Sequence, residues 1–533
     1  MKRTLRFGLV LALIAAPIAT SQNISSKDLL DGLKSTGRWL TYSGDYSGRR
    51  HSPLAQITPE NVGSLRAEWI FQTGVPGKFE ATPIVIDGTL YITGPDNHAW
   101  SLDARTGREI WHHRENLPAN LNLCCGKVNR GFAVSGAKLY IAALDSNLVA
   151  LDIKTGNVIG GIAIDDYRKG YTSTAAPLVV GNKIVVGTAG ADYGARGFID
   201  ALDVNSGKRV WRFWTVPRPG EPGGETWAGN SWEHGGGSTW LTGTYDPELN
   251  LIYWGTGNPA PNLNGNARKG DNLYTSSLVA LDADTGKLRW HYQFTPHDTH
   301  DWDANHIPVL ADLTIDGRNR KVVMVANRNG FFYTLDRTTG EVLVAKTYAG
   351  TTWAKELDSR GRPILLPDNE PSEQGTFICP DMDGATNWMS PAFNPDTGLM
   401  YVMAREDCAT YYSWAEDFRE GQSYWGGNTT RKRGSGYGAL RAIDPLTGSV
   451  KWEFKFPTPS MAGVLSTASG LLFTGDMEGN FMAFDARTGK NLWHLQTGSS
   501  IYAAPSTFTV NGRQFVVIPS GTALIALALP PGS

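Results

Sequence analysis

The sequence is poor in the features that mark several large classes of protein. Only four cysteines occur in 533 residues, too few for a scaffold held together by disulfides. Neither sign of charge dominates: 49 basic side chains face 51 acidic ones, for a formal net charge of -2. That balance argues against nucleic acid or an anionic membrane as the main partner. No Cys-x-x-Cys-His occurs, so no covalent haem attachment is predicted. Long apolar runs are missing too. The apolar stretch 7–18 is too short to span a bilayer, and no later segment qualifies, so no membrane span is predicted. With Lys2, Arg3 and Arg6 before it and Ala19-Thr20-Ser21 after it, that stretch reads as an export signal over 1–21. The expected location is an oxidising compartment, most simply a periplasm, where disulfides persist.

Glycine and tryptophan, by contrast, are plentiful, at 61 and 18 residues, as suits an all-β protein rich in turns and aromatic packing. One pattern recurs: Leu-Asp, two residues, Thr/Ser-Gly, three residues, Trp. It runs through Asp103, Thr106-Gly107 and Trp111, and returns at Asp152, at Asp203 with Trp211, and at Asp282 with Trp290. Further copies start at Asp336, Asp444 and Asp485. Each copy is predicted to be a strand, a tight turn and a second strand that lays its tryptophan on a neighbour. Such a unit buries its face only by stacking. The first steps between aspartates are 49 and 51 residues, and the step of 79 from Asp203 to Asp282 implies one repeat with an insertion. The 108 residues from Asp336 to Asp444 read as two repeats, one of them degenerate. Seven visible copies and one hidden copy predict an eight-bladed β-propeller, a single domain over 22–533 joined through its two chain ends. A helical solenoid conflicts with β-rich segments such as 81–93.

Several motifs interrupt the rhythm. Cys124-Cys125 precedes Arg130 by five residues. Paired with each other, the two thiols would close an eight-membered ring, and the guanidinium would suit a carboxylate. Unpaired, they are two small buried thiols beside a surface arginine. Gly235-Gly236-Gly237-Ser238-Thr239-Trp240 permits close backbone approach before an indole. Asn258 lies in Gly-Thr-Gly-Asn-Pro, which also suits a capped turn. Asp303 ends a run with His297, Asp298, His300 and Asp301 that by itself would suggest a transition-metal site. The aromatic loop 411–433 reads equally as a solvated flap or a lid.

Together and in this order, these motifs resemble the quinoprotein dehydrogenases of the methanol and ethanol dehydrogenase type, which use pyrroloquinoline quinone (PQQ). The resemblance covers nearly the whole chain after the signal. It implies that Glu80 contacts the quinone, that Cys124 and Cys125 form a vicinal disulfide against one face of the cofactor, and that Arg130 binds its carboxylates. Thr174, Gly190, Ala191 and Ser238 fall in cofactor-contacting segments, Trp240 matches the floor beneath the rings, and Asn387 matches a cofactor-binding asparagine. Asp192, Asn258 and Asp303 match the ligands of a calcium ion. Asp303 is also the expected catalytic base, and Arg328 lies near the reactive carbonyl. Cys379 and Cys408 resemble the second disulfide.

Three departures from the family stand out. Asp192 replaces the usual glutamate and is one methylene shorter. Asn305 stands where lanthanide-type enzymes carry an aspartate, which favours calcium. Met461 occupies the place of a tryptophan beside the cofactor, so a roomier pocket is expected. The implied activity is oxidation of a small-molecule alcohol, with a bulky secondary alcohol favoured by Met461, and transfer of electrons to a periplasmic cytochrome c or similar acceptor. The contrasting expectations are a non-catalytic propeller scaffold that binds proteins, and a degenerate quinoprotein that no longer binds PQQ.

Overall fold

The computed structural model describes residues 23–432 and 434–531. The expected export signal and Arg433 lie outside the described residues. Within them the chain is all-β, with one short α-helix, Ser26–Asp31, capped by the Ser25 hydroxyl, and a few 3-10 turns.

Eight sheets of four antiparallel strands make up the body, two of them extended by a short fifth strand from the N-terminal segment. The sheet of Leu178–Val180, Lys183–Gly187, Phe198–Asp203 and Arg209–Trp214 is representative. Its first three strands are almost wholly buried, whereas the fourth exposes Arg209 and Val210, leaves its last three residues half-buried and buries Trp211. Strands covered on both faces carry near-continuous apolar residues, as Ile184-Val185-Val186 does, and the one buried charge of the third strand, Asp200, is paired with Arg212 of the fourth at 2.7 Å.

The repeated turn explains itself chemically. Asp203 Oδ1 accepts hydrogen bonds from the Asn205 and Ser206 backbone N–H groups and from the Ser206 hydroxyl, at 3.1, 2.8 and 2.9 Å. The same bonds recur at Asp103, Asp152, Asp282 and Asp485. The glycine that follows has a positive φ, +70° at Gly107, and a Cβ there would stand 2.6 Å from the Trp69 ring. Only glycine meets both demands. The expected tryptophan docking is present. Trp69, Trp111, Trp211, Trp290 and Trp452 each donate their indole N–H to a backbone carbonyl beside the next such turn.

The hidden repeat lies elsewhere than the spacing implies. Among the described residues between Asp336 and Asp444 there is no additional four-stranded sheet. Two small sheets fill that interval, Ala354–Leu357 with Pro363–Leu365, and Thr376–Ile378 with Ala409–Ser413 and Gly427–Thr430. The remaining four-stranded sheet joins Ser506–Val510, Arg513–Ser520 and Ala523–Ala528 to Arg66–Gln72 from the other end of the chain. Its outer pair has no connecting turn, so it carries no Asp-x-x-Thr-Gly signature.

Strand direction then fixes where chemistry can gather. In an antiparallel meander, the segment entering the first strand and the segment joining the second to the third emerge at the same end. Glu80, Arg130, Thr174, Trp240, Asp303, Asn387 and Met461 all precede a first strand, and Asp192, Asn258 and Arg328 join a second to a third. The Asp-x-x-Thr-Gly turns lie at the opposite end.

Candidate active site

The centre of the site is the Asp303 carboxylate, which is 6% exposed. Oδ2 accepts the Trp240 indole N–H at 2.9 Å and pairs with Arg328 Nη2 at 3.1 Å. Oδ1 accepts the Asn258 backbone N–H at 2.7 Å. Gly257 is what lets Asn258 come so close: a Cβ there would lie 2.4 Å from Asp303 Oδ1 and 2.6 Å from Ser238 Oγ. Arg328 is itself aimed by Asn387 Oδ1 at 2.9 Å and the Asp301 carbonyl at 2.8 Å.

Trp240 forms a shared plane. The Arg130 guanidinium lies 4.8 Å and that of Arg328 5.7 Å from its ring centroid. Arg130 pairs with Glu80 at 2.7 Å, both side chains buried. Burial pushes the Glu80 carboxyl above its usual range, against the pull of Arg130 and Lys78. Thr174 holds the edge of this layer: its hydroxyl donates to the Trp240 carbonyl at 3.1 Å and its carbonyl accepts from Arg130 N at 3.1 Å.

Asp192 and Asp301 complete the polar rim. Withdrawal from water, followed by the negative charge of Asp303, pushes the Asp192 carboxyl up to about 6. The same causes in the same order, with Asp192 adding to them, raise Asp301 well above its usual value. Asn262 Nδ2 donates to Asp192 Oδ1 at 3.2 Å. Gly190, at φ +116°, has no room for a Cβ, which would stand 2.2 Å from the Gly170 carbonyl, and Ala191 beside it is buried.

Cys124 and Cys125 are bonded to each other, and Cys379 to Cys408. The vicinal pair is exposed. Ser238 is buried, and its carbonyl accepts from Asn305 Nδ2 at 3.1 Å. Met461 is half-buried, packed in the cluster that holds Trp388, with its sulfur 3.8 Å from Arg405 Nη1.

Three neighbours of this site, Lys78, Asn262 and Trp388, have no signature of their own in the sequence, and Asp301 shows there only as one of an acidic and histidine run. Lys78 stands 5.7 Å over the Trp388 ring, which Arg130 also approaches at 6.0 Å. Asp301 and Asn262 join the acidic rim. Trp388 sits beside Asn387 in the motif that carries it, and that adjacency was its only signal.

The donor chemistry fits the implied groups. Asp192, Asp303 and the Asn258 carboxamide offer oxygen, the donor a hard cation takes, and burial followed by the charge of Asp303 raises both carboxyls beside it, a crowding that a cation would relieve. Asn262 Oδ1 and Asn305 Oδ1 are buried without a hydrogen-bond partner. For a flat polyanion, the indole plane carries two cations, and buried Arg130 Nε and Ser173 Oγ are also without partners. The residues present fit both groups.

Comparison with known proteins agrees. Residues 39–348 and 435–516 match the family model for the β-propeller domain of PQQ-dependent glucose, ethanol and alcohol dehydrogenases. The chain is 39% identical to quinohemoprotein alcohol dehydrogenase ADH IIB of Pseudomonas putida, over 98% of this chain and 79% of that protein. It is 37% identical to quinoprotein alcohol dehydrogenase PedH, also of Pseudomonas putida, over 96% and 91% of the two chains. A solved europium-containing methanol dehydrogenase superposes with a TM-score of 0.90 at 33% identity, covering 94% of this chain and 100% of that one.

Proposed function

The chain belongs to the PQQ-dependent alcohol dehydrogenase family, and from that premise we propose that it is a periplasmic, calcium-loaded enzyme oxidising an alcohol to the aldehyde or ketone. The observation that carries this reading is the convergence of Trp240, Asn258 and Arg328 on one buried carboxylate, Asp303. Glu80, Arg130, Thr174 and Trp240 would hold PQQ, with Cys124–Cys125 closing one face, and Asp192, Asn258 and Asp303 would hold the calcium. Bound PQQ supplies a two-electron acceptor, and the cation beside it a Lewis acid.

The chain's own residues supply the proton chemistry. Three donors fix the Asp303 carboxylate in place, as a general base must be held. Two of them occupy Oδ2, so Oδ1, with one, is the freer oxygen to take the hydroxyl proton of the alcohol. Arg328 and Trp240 prevent the carboxylate from rotating, and burial keeps bulk water away.

Finer features of the reading rest on particular residues. Asn305 in place of a further carboxylate supports calcium over a trivalent ion. Met461 in place of an indole supports a bulky secondary alcohol as substrate. The absence of a haem-attachment motif supports an external acceptor such as cytochrome c. We also read the eight four-stranded sheets as the blades of one closed eight-bladed propeller over 22–533, supported by the pairing of the chain ends, and 1–21 as its export signal.

Dye-linked oxidation by the purified apo protein across a panel of alcohols tests the assignment, with PQQ and calcium added together, singly and not at all. Turnover that needs both is expected. Failure with every alcohol, with no PQQ retained on gel filtration, would overturn it in favour of a binding scaffold.

A further inference from the structure

We propose that residues 414–425 form an aromatic strap, clamped across the mouth of the site by Phe418 on His234, that limits the size of alcohol able to reach Asp303. The proposal rests on the dehydrogenase reading above and adds to it the element that sets substrate choice.

The strap is the tip of an excursion outside the regular sheets, and its foot is fixed. It leaves Ala409–Ser413 and returns through Gly427–Thr430, a hairpin paired with Thr376–Ile378. The Cys379–Cys408 disulfide ties the end of the outer strand Thr376–Ile378 to the start of the central strand Ala409–Ser413. Arg431 adds ion pairs to Asp381 at 2.9 Å and Asp383 at 2.8 Å, four to six residues before Asn387.

The tip touches four separate segments, each of which also carries a site residue. Asn122 Nδ2, two residues before the vicinal disulfide, donates to the Gly421 carbonyl at 2.5 Å. Tyr424 N donates to the Asp192 carbonyl at 2.7 Å. Asn264 Nδ2, six residues after Asn258, donates to the Trp414 carbonyl at 2.8 Å. His234, six residues before Trp240, stacks on Phe418 with centroids 3.4 Å apart and planes 13° apart. These segments all emerge at the site end of the sheets, so a single segment that touches all four spans the opening between them.

Phe418 is the clamp. Gly194, two residues from Asp192, also abuts it: a Cβ there would lie 2.7 Å from the ring and 3.3 Å from His234 Cβ. The ring thus touches both the approach to the metal-ligand loop and the approach to Trp240. The strap holds its own shape through Glu416, whose Oε2 accepts from Trp425 N at 3.1 Å and Gly426 N at 2.6 Å. The other anchors are backbone bonds and the amides of exposed Asn122 and buried Asn264. Losing the ring contact therefore loosens the middle of the strap, around Phe418 and Arg419, without dismantling the site.

The test compares wild type, Phe418→Ala, His234→Ala and Phe418→Tyr, each loaded with PQQ and calcium. Two readouts are taken: kcat/KM for cyclohexanol relative to ethanol, and the rate of tryptic cleavage after the exposed Arg419. Both alanine variants are expected to raise the cyclohexanol-to-ethanol ratio about tenfold, the scale on which a pocket discriminates apolar bulk. Both should also be cleaved faster, and the tyrosine variant should behave as wild type. Faster cleavage with an unchanged ratio would show a flap that filters nothing, and unchanged cleavage would show that Phe418 is no clamp. A wild-type protein inactive on every alcohol would overturn the dehydrogenase reading, and the filter with it. Turnover in which the ratio fails to respond overturns the filter alone.

Discussion

The two ends of the sheets use the same residue type for opposite purposes. At the turn end, Trp69, Trp111, Trp211, Trp290 and Trp452 each stand on a glycine of the next turn and donate to a backbone carbonyl. At the site end, Trp240 follows three glycines and donates to a carboxylate, with guanidinium groups over its face. The partner of the indole N–H separates the two roles. A neutral carbonyl binds one sheet to the next, while an anion already held by Arg328 is being aimed. Work at the turn end is divided among many similar contacts. At the site end it converges on one side chain.

The sharpest way to separate the ends is to remove that carboxylate without removing its shape. Asp303→Asn should lower kcat by about 10²–10⁴-fold, the usual worth of a positioned general base. The melting temperature of the apo protein should fall only modestly: the amide keeps the volume and relieves crowding with Asp192 and Asp301, which offsets part of the loss of the Arg328 ion pair and of one accepted hydrogen bond. Dye-linked turnover and a thermal melt on one preparation check both halves. The complementary change is Trp211→Ala at the turn end. Emptying that largely buried position should cost about 3–5 kcal/mol of stability, read from denaturant unfolding, with kcat of the folded fraction unchanged. Trp240→Phe falls between them. It keeps the aromatic floor and deletes one hydrogen bond to a charged group, worth about 1.5–3 kcal/mol. If that bond serves the reaction, kcat drops roughly tenfold to a hundredfold while stability changes little. Loss of stability with unchanged turnover would make Trp240 one more packing tryptophan.

The two ends also differ in how far the sequence exposes them. The turns are legible because their chemistry is local: Asp103 bonds to Arg105 and Thr106, and Gly107 sits two residues past Arg105. The eighth four-stranded sheet is illegible for the converse reason. Arg66–Gln72 and Ala523–Ala528 pair across the length of the chain, with no turn to carry the motif, so spacing alone places the missing repeat in the wrong interval. At the site, Trp240, Asn258, Asp303 and Arg328 are found because each lies in a motif with its own glycines or neighbours. Lys78 and Asn262 are not, since what gives them meaning is a partner brought close by folding, Trp388 and Asp192; Asp301 shows in the sequence only as one of a run that suggests a metal site, not as a carbonyl that holds Arg328. The strap stands midway. Its aromatic composition is conspicuous in the sequence, but only the contacts to Asn122, Asp192, His234 and Asn264 distinguish a cover from a flap.

The smallest expected effect tests whether the turn end is as evenly shared as it looks. Ser206 replaces threonine in one turn and makes the same bond to its aspartate, 2.9 Å against 3.0 Å at Thr106. Thr106→Ser should therefore leave the unfolding midpoint unchanged. Thr106→Val keeps the shape but loses the hydroxyl bond, and should cost no more than about 0.5–1.5 kcal/mol, towards the lower end because the turn is exposed. Thr488→Val, in a turn of the same construction, should cost a similar amount. The two sites share no partner, so the double variant should lose the sum of the two within about 0.5 kcal/mol. A deficit well beyond the sum would mean that the turns act as a connected belt, and the contrast between a distributed end and a convergent one would no longer hold.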